Sequence, residues 1–271
     1  MPSCKDPSIT FLNKFGYNVV KLPRTGIEPL DVVGRDKSTE WLGKLSAVWK
    51  STVAVPQPGA PQPAVDVQGQ KSDQLELSIG LKVLENALKA FGATVPTLSF
   101  AFQKARKVQF TFTNVASTFV APLEAGNFLA AGDLNTNNPV VEHYFLEDDP
   151  QAFLLTEVLK SDSISVTATD TNGADVKVDV PQIQSVVGAN VGVKASGANN
   201  STLTFTGKTP VTFGFKAFEI SFENGRWKLR GAKASADLAF EAVAAAGGTT
   251  AALEEDLGDP VLLRSSGLIR L

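Results

Sequence analysis

Two hydrophobic periods run through this chain, and several stretches carry both. Trp41, Leu42, Leu45, Val48 and Trp49 recur at helical spacing and predict a short amphipathic helix within residues 36–50. Residues 73–91 predict a longer one. Asp73 is placed to cap it with Glu76 three residues on, Leu77, Leu81, Leu84, Leu88 and Phe91 share a face, and Gly92 ends it. Strands are expected at Leu98/Phe100/Phe102 and at Val108/Phe110/Phe112, where apolar residues alternate with polar or small ones. Residues 121–134 and 149–159 read as further helices. Later the period is mostly two. Ile164, Val166 and Ala168 lead through Asn172-Gly173 into Val176, Val178 and Val180, and Phe218, Ile220 and Phe222 lead through Asn224-Gly225 into Trp227 and Leu229. Both read as hairpins. Val211, Phe213, Phe215 and Ala217 alternate in the opposite phase to Phe218, which predicts a bulge near Ala217. The proline-rich stretch 56–63 is a surface loop, residues 235–245 turn Ala-rich and helical, and Gly247-Gly248-Thr249-Thr250 is a joint. The layout is one α+β domain followed by a separable tail.

Two of these segments can be read either way. Leu75, Leu77, Ile79, Leu81 and Val83 alternate strictly with Gln74, Glu76, Ser78, Gly80 and Lys82. Within 181–196, Val187, Ala189, Val191, Val193 and Ala195 alternate in the same manner. Each gives one apolar and one polar face over about the nine to eleven residues that a membrane strand needs. Two long amphipathic hairpins, roughly residues 75–112 and 163–206, are one outcome. A half-buried soluble sheet with short helices is the other, and the pattern alone leaves both open.

Composition narrows the classes. The chain has 271 residues, 43% hydrophobic and 20% charged, with 25 Lys+Arg against 28 Asp+Glu and a net charge of −3. A nucleic-acid binder usually carries a basic excess, which this chain lacks. Mean hydropathy is +0.03, and no run of about 18 apolar residues marks a transmembrane helix. The first seven residues, MPSCKDP, lack the apolar core of a signal peptide, so a cytoplasmic protein is expected. Cys4 is the one cysteine and His143 the one histidine, too few for an intrachain disulfide or an ordinary zinc site.

Signs of catalysis are thin. Any Ser–His or Cys–His pair would have to use His143, yet no nucleophile elbow surrounds it, and it reads as structural beside Tyr144 and Phe145. No phosphate-binding glycine loop occurs. Residues 133–138 start like a calcium loop but lack the glycine at position six and place Tyr144 where the bidentate glutamate belongs, so they read as a polar turn. The acidic run at residues 147–150 is a solvated loop, and the sequons at Asn199 and Asn200 carry no weight without secretion. No catalytic or metal-binding residue is assigned.

The run FLNKFGYNVVKLPRTGIEPL at residues 11–30 resembles the opening of the bacterial gasdermins. Residues 41–45, 84–92 and 102–110 are similar as well, and the likeness extends over the whole chain, including its short tail. The resemblance implies an α+β fold, a twisted, mainly antiparallel central sheet with surrounding helices, over residues 1–245. Residues 246–271 would be a protease-sensitive linker and autoinhibitory peptide. It further implies a pore-forming effector of antiphage defence, a monomer in the cytoplasm while autoinhibited. A caspase-like or related protease removes the peptide, and the freed domain assembles on inner-membrane lipids as a homo-oligomeric β-barrel pore that kills the cell. Family members also carry a palmitoyl group near the N-terminus, for which Cys4 is the candidate; no other cofactor is implied.

Those expectations fall on particular residues. Pro2 excludes the glycine that myristoylation needs, and no lipobox precedes Cys4. One acyl chain gains about 0.8 kcal/mol per buried CH₂, marginal for anchoring alone, so it suits a groove filler that later aids insertion. The cleavage region is Ala246, Gly247, Gly248, Thr249, Thr250, Ala251, Ala252 and Leu253. Val261, Leu262, Leu263, Leu268, Ile269 and Leu271 are too apolar for a free terminus and should pack on the domain as the autoinhibitory tail. Lys14, Lys21, Arg24, Lys104, Arg106 and Lys107 are candidate lipid-headgroup contacts. Leu75, Leu77, Ile79, Leu81, Val83, Val187, Val191 and Val193 are the membrane-hairpin candidates. Net charge runs from +4 over residues 1–130 to −5 over 131–245 and −2 over 246–271, so losing the tail relieves some repulsion from anionic lipid. A soluble lipid- or acyl-chain-binding module without pore activity is the competing function, and a hydrolase using His143 a third.

Overall fold

The computed structural model of the chain describes residues 12, 16–72, 74–93, 98–147, 149–197, 200–231 and 263. The first half holds strands β1 (Asn18–Arg24), β2 (Asp31–Arg35), β3 (Thr39–Lys44), β4 (Trp49–Ser51), β5 (Gln62–Pro63) and β6 (Leu75–Glu76), with helices α1 (Leu45–Val48) and α2 (Leu77–Ala90). A 3₁₀ turn at Leu98–Phe102 leads to β7 (Lys107–Thr113), β8 (Ala116–Phe119), α3 (Pro122–Ala130), β9 (Gly132–Leu134) and α4 (Pro139–Leu146). The remainder is β10 (Gln151–Thr169), α5 (Val180–Val187), β11 (Gly192–Ser196), β12 (Thr202–Glu223) and β13 (Arg226–Arg230).

An antiparallel pair formed by β10 and β12, 19 and 22 residues long, is the spine of an open eleven-stranded sheet. Along its outer edge β10 takes three partners in turn: β2 at Gln151 to Leu154, β8 at Glu157 to Lys160, and β7 at Ser163 to Thr169. On the far edge β12 pairs with β13, β1 and β11. Both spine strands are buried over unbroken runs, residues 152–156 and 211–215, because packed elements cover both faces.

That burial hides the start of β10 from the sequence pattern. Residues 149–159, which read as a helix, instead open β10; a strand covered on both sides loses its period-two signal. The bulge expected near Ala217 sits across the pair, at Thr156, between the registers Leu155–Ala217 and Glu157–Lys216. There the apolar phase of β12 switches, so Phe215 and Ala217 face one core cluster and Phe218 and Ile220 another.

Other segments keep their apolar residues and change geometry. Residues 36–50 form β3, the single turn α1 and β4, since Trp41 and Leu42 serve the sheet while Leu45, Val48 and Trp49 are buried. Leu98, Phe100 and Phe102 lie on a 3₁₀ turn rather than a strand, with Leu98 and Phe102 in the core. The helix predicted at 73–91 starts at Leu77, after Leu75 and Glu76 pair with β7, so Glu76 occupies the cap position without a side-chain cap; Asp73 lies outside the described residues. Gly92 ends the helix at φ +89 as expected. Residues 121–134 divide into α3 and β9.

Of the two hairpins, the second forms, with Asn224 and Gly225 both at positive φ, the backbone its tight turn requires. The first stops after one bridge, Thr169–Asp175. Val180 and Pro181 then open α5, with Asp179 Oδ1 accepting from the Gln182 amide at 3.2 Å. The helix expected at 235–245 lies outside the described residues.

Helices α2 and α5 cover the end of the spine that carries β7 and β11, in one core of Leu81, Leu84, Leu88, Phe91, Ile183 and Val187 against Val108, Val166 and Phe205. The approach is close. A Cβ on Gly80 would sit 2.0 Å from Val108 Cγ2, so glycine lets α2 lie against β7. A second core at the opposite end gathers Leu45, Trp49, Phe128, Leu129, Val141 and Phe218 under α1, α3 and α4.

Candidate functional site

Four elements meet in a small apolar groove midway along the sheet. Val20 of β1, Ile27, Val33 of β2, Phe153, Leu155 and Val158 of β10, and Phe215 and Ala217 of β12 line it. Leu263 from the C-terminal tail fills it and is only 4% exposed. Its backbone is bound at both ends. The Leu263 amide donates to Asn18 Oδ1 at 2.8 Å, and its carbonyl accepts from Arg35 Nη1 at 3.1 Å. Asn18 is itself buried and reaches the Phe215 carbonyl. Arg35 is pre-positioned: its Nε donates to Gln151 Oε1 at 3.1 Å, its Nη2 bonds the same oxygen, and its guanidinium lies 4.8 Å from the Phe153 ring centroid. Gln151 is held in turn by Glu219 at 3.1 Å. A buried leucine is worth about 1.5–3 kcal/mol and each main-chain hydrogen bond about 0.5–1.5 kcal/mol, so the groove grips this residue through its side chain and both of its main-chain polar groups.

A cleft of about 540 Å³ opens over β8, β10 and β12, lined by Tyr17, Val65, Asp66, Ser117, Phe119, Glu157 and Lys216 among others. Glu157 is its hub. Oε1 accepts from Tyr17 Oη at 2.7 Å and from Ser117 Oγ, and Oε2 lies 2.9 Å from Lys216 Nζ. Lys216 also stands 4.5 Å from the Tyr17 ring centroid. Burial alone would raise the Glu157 carboxyl, but the bonds from Ser117, Tyr17 and Lys216 and the Lys216 charge outweigh it and hold the pKa below the ordinary value. The Tyr17 hydroxyl is pushed strongly upward, by burial first and then by Glu157 and Asp66. The network therefore ties the chain ahead of β1 to three strands of the sheet.

The sequence profile of the Bacterial Gasdermin Family matches residues 20–226. A "Gasdermin bGSDM" from Vitiosangium sp. is 38% identical over 279 residues, covering 100% of this chain and 99% of the relative. The chain belongs to the bacterial gasdermin family. A second gasdermin, from Lysobacter enzymogenes, is 35% identical over 232 residues, covering 84% of this chain and 85% of its own. The solved structure of a bacterial gasdermin from Bradyrhizobium tropiciagri shares the fold, with a TM-score of 0.59 at 17% identity over 84% of this chain and 91% of that one. As a gasdermin the chain is a pore-forming cell-death effector and not an enzyme, in a class that works through oligomerisation and membrane lipids.

The residues singled out from the gasdermin sequence fall into separate places. Of the tail, Leu263 is in the groove; Val261, Leu262, Leu268, Ile269 and Leu271 lie outside the described residues, as do Cys4, Lys14 and the cleavage region 246–253. Lys21 is on β1, and its side chain is not described. Arg24 stacks 5.0 Å from the Trp41 ring centroid, near the strands that pair with the start of β10. Lys104, Arg106 and Lys107 gather at the other end, where Lys107 pairs with Thr169. These cations do not form one patch. Leu75 is on β6, Leu77, Ile79, Leu81 and Val83 are on α2, Val187 ends α5, Val191 is buried beyond it and Val193 is on β11. In this state the first two-period segment is therefore mostly helix, with Ile79 on its exposed side.

His143, on α4, contacts carboxylates: Nδ1 lies 2.9 Å from Glu147 Oε2 and Nε2 lies 3.9 Å from Asp36 Oδ2. Asn138, in the polar turn before it, caps α4 through Oδ1 and the Val140 amide at 3.0 Å. Among the described residues no group of three or more His, Cys, Asp or Glu side chains is placed to hold a metal ion, and no helix is long and apolar enough to cross a membrane. Asn18, Arg35 and Glu157 were missed from sequence. Each is a polar residue on a strand, and no periodicity marks it.

Proposed function

We propose that this chain is an autoinhibited pore-forming effector of antiphage defence, restrained by its C-terminal segment until a caspase-like or related protease cuts within residues 246–253. The observation that carries this reading is Leu263, buried in the groove between β1, β2, β10 and β12 and bonded through its own backbone. Leu263, docked where β1 and β2 meet the spine, braces the sheet in this arrangement. Its departure frees the neighbouring strands to rearrange.

Both two-period segments pack over the β7 and β11 end of the spine, each beside a strand of compatible alternation. Refolding α2 with β7, and α5 with β11, into amphipathic hairpins would turn the apolar positions of residues 75–83 and 187–195 toward lipid and their polar neighbours toward a lumen. Many copies would close the barrel, since only closure removes strand edges inside a bilayer. Palmitoylation of Cys4 would add membrane affinity; loss of a palmitoyl mass on hydroxylamine treatment tests it, and an unchanged intact mass refutes it. The assembly would act at the inner membrane after cleavage, and the intact monomer would be cytoplasmic before it.

The acyl-carrier alternative wants an apolar cavity. The cleft above instead presents Glu157, Lys216 and Asp66, and a second of about 540 Å³ presents Lys104, Lys177 and Asp179. Dye release from phosphatidylethanolamine/phosphatidylglycerol vesicles after cutting at a protease site placed within 246–253 separates the readings. A pore former releases dye, and a carrier does not.

A further inference from the structure

Resting on the pore-forming reading above, we propose that the pore made by this chain prefers anions, because one face of its sheet is already a neutral hydroxyl wall dotted with lysines. At the β7 and β11 end of the spine, Thr111, Ser165, Thr204 and Lys194 stand side by side across β7, β10, β12 and β11. The flanking rows hold only Ser, Thr, Gln and Gly. Hydroxyls bond across the strands, Ser165 to Thr204 at 2.8 Å and Thr167 to Thr202 at 2.9 Å. The opposite face of the same strands, with Phe110, Val166 and Leu203, is buried under α2 and α5.

Charge on the hydroxyl face is one-sided. Lys107 lies opposite Thr169, Glu76 of β6 opposite Lys107, and Lys71 opposite Thr111. With Lys194 that makes three cations against one carboxylate, a net of +2 for each copy. These faces survive a change of partner. A strand points alternate residues to opposite sides whichever strand it pairs with, so the grouping holds while β7, β10, β11 and β12 stay extended. When α2 and α5 leave the apolar side, lipid takes their place, and the hydroxyl side becomes the lumen. The same alternation carried into the refolded segments adds Lys82 and Lys177 against Asp175 and Asp179, so the net stays at +2. A ring of copies multiplies this charge, and rings of lysine favour anions. The field reaches about one Debye length from the wall, roughly 30 Å at 0.01 M salt and 8 Å at 0.15 M, so a wide lumen shows the preference in dilute salt.

The test cuts the full chain, carrying a protease site within 246–253, on a planar phosphatidylethanolamine/phosphatidylglycerol bilayer between about 10 and about 30 mM KCl, and reads the reversal potential. Chloride should be roughly twice as permeant as potassium, the ratio falling toward one at about 0.5 M salt. K71E/K194E turns +2 into −2 and should make potassium the more permeant ion. K71Q/K194Q, the milder change, should bring the ratio close to one, and with the wild-type sign it decides the matter if the first variant passes no current. A wild-type pore that favours potassium, one without preference in dilute salt, or charge variants that keep the wild-type ratio would each overturn the proposal. A cut wild-type chain that passes no current would instead refute the pore-forming reading itself.

Discussion

Truncating the docked leucine in the intact chain isolates its contribution. In Leu263→Ala the bonds from Asn18 and Arg35 survive, because both contact the main chain, and only the filling of the groove is lost. Leu-to-Ala changes at buried sites cost about 2–5 kcal/mol, according to how far the site collapses. A surface groove can partly close, which favours about 2–4 kcal/mol, or a roughly 30- to 1,000-fold loss in the docking equilibrium. Uncut L263A should therefore release dye from vesicles without protease, more slowly than cut wild type. Leu263→Met keeps the volume, costs less than about 1.5 kcal/mol and should remain tight. Thermal unfolding of each variant guards against leakage by a misfolded domain. If folded, uncut L263A holds dye as well as wild type, the groove does not restrain the protein through this residue.

Two further outcomes follow from the geometry. The Glu157 carboxyl is held below the ordinary value of 4.5, so its contribution is present above that pH and lost as pH falls through the lowered folded-state value. Glu157→Gln should cost about 1–3 kcal/mol near neutrality, with the gap from wild type narrowing in denaturant melts below pH 4.5; a constant gap would contradict the ionic network. Gly80→Ala should destabilise the domain by about 1–3 kcal/mol, because the new Cβ would meet Val108 Cγ2 at 2.0 Å and this overpacking outweighs alanine's helix propensity of about 1 kcal/mol. Val108→Ala in the same chain should restore part of the loss, and a stabilised single variant would show that α2 stands farther from β7.

Much of this fold was legible in the sequence where local chemistry decides. Asn224-Gly225 fixed a turn because its positive-φ backbone suits few other pairs. Asn172-Gly173 turned the chain too, but Asp179 and Pro181 supply cap and first-turn chemistry that converts the expected return strand into α5. The opening of β10 hid because Phe153, Leu154 and Leu155 are buried on both sides, a tertiary fact that erases alternation. The site divided in the same manner. An apolar tail is visible as such, and of its residues Leu263 lies in the groove. Arg35 and Asn18 could not be anticipated, because their role comes from β1 and β2 converging on the tail from different partners, β12 and β10.

What matters most is whether the C-terminal segment restrains a pore former. Its most direct test is dye release by the full chain carrying a protease site within 246–253, measured before and after cutting, beside an identical chain lacking the site. Restraint by the tail requires no release from either intact protein or from the uncuttable chain with protease, and rapid release once the tail is severed. A cleaved, folded domain that leaves the vesicles sealed would contradict it.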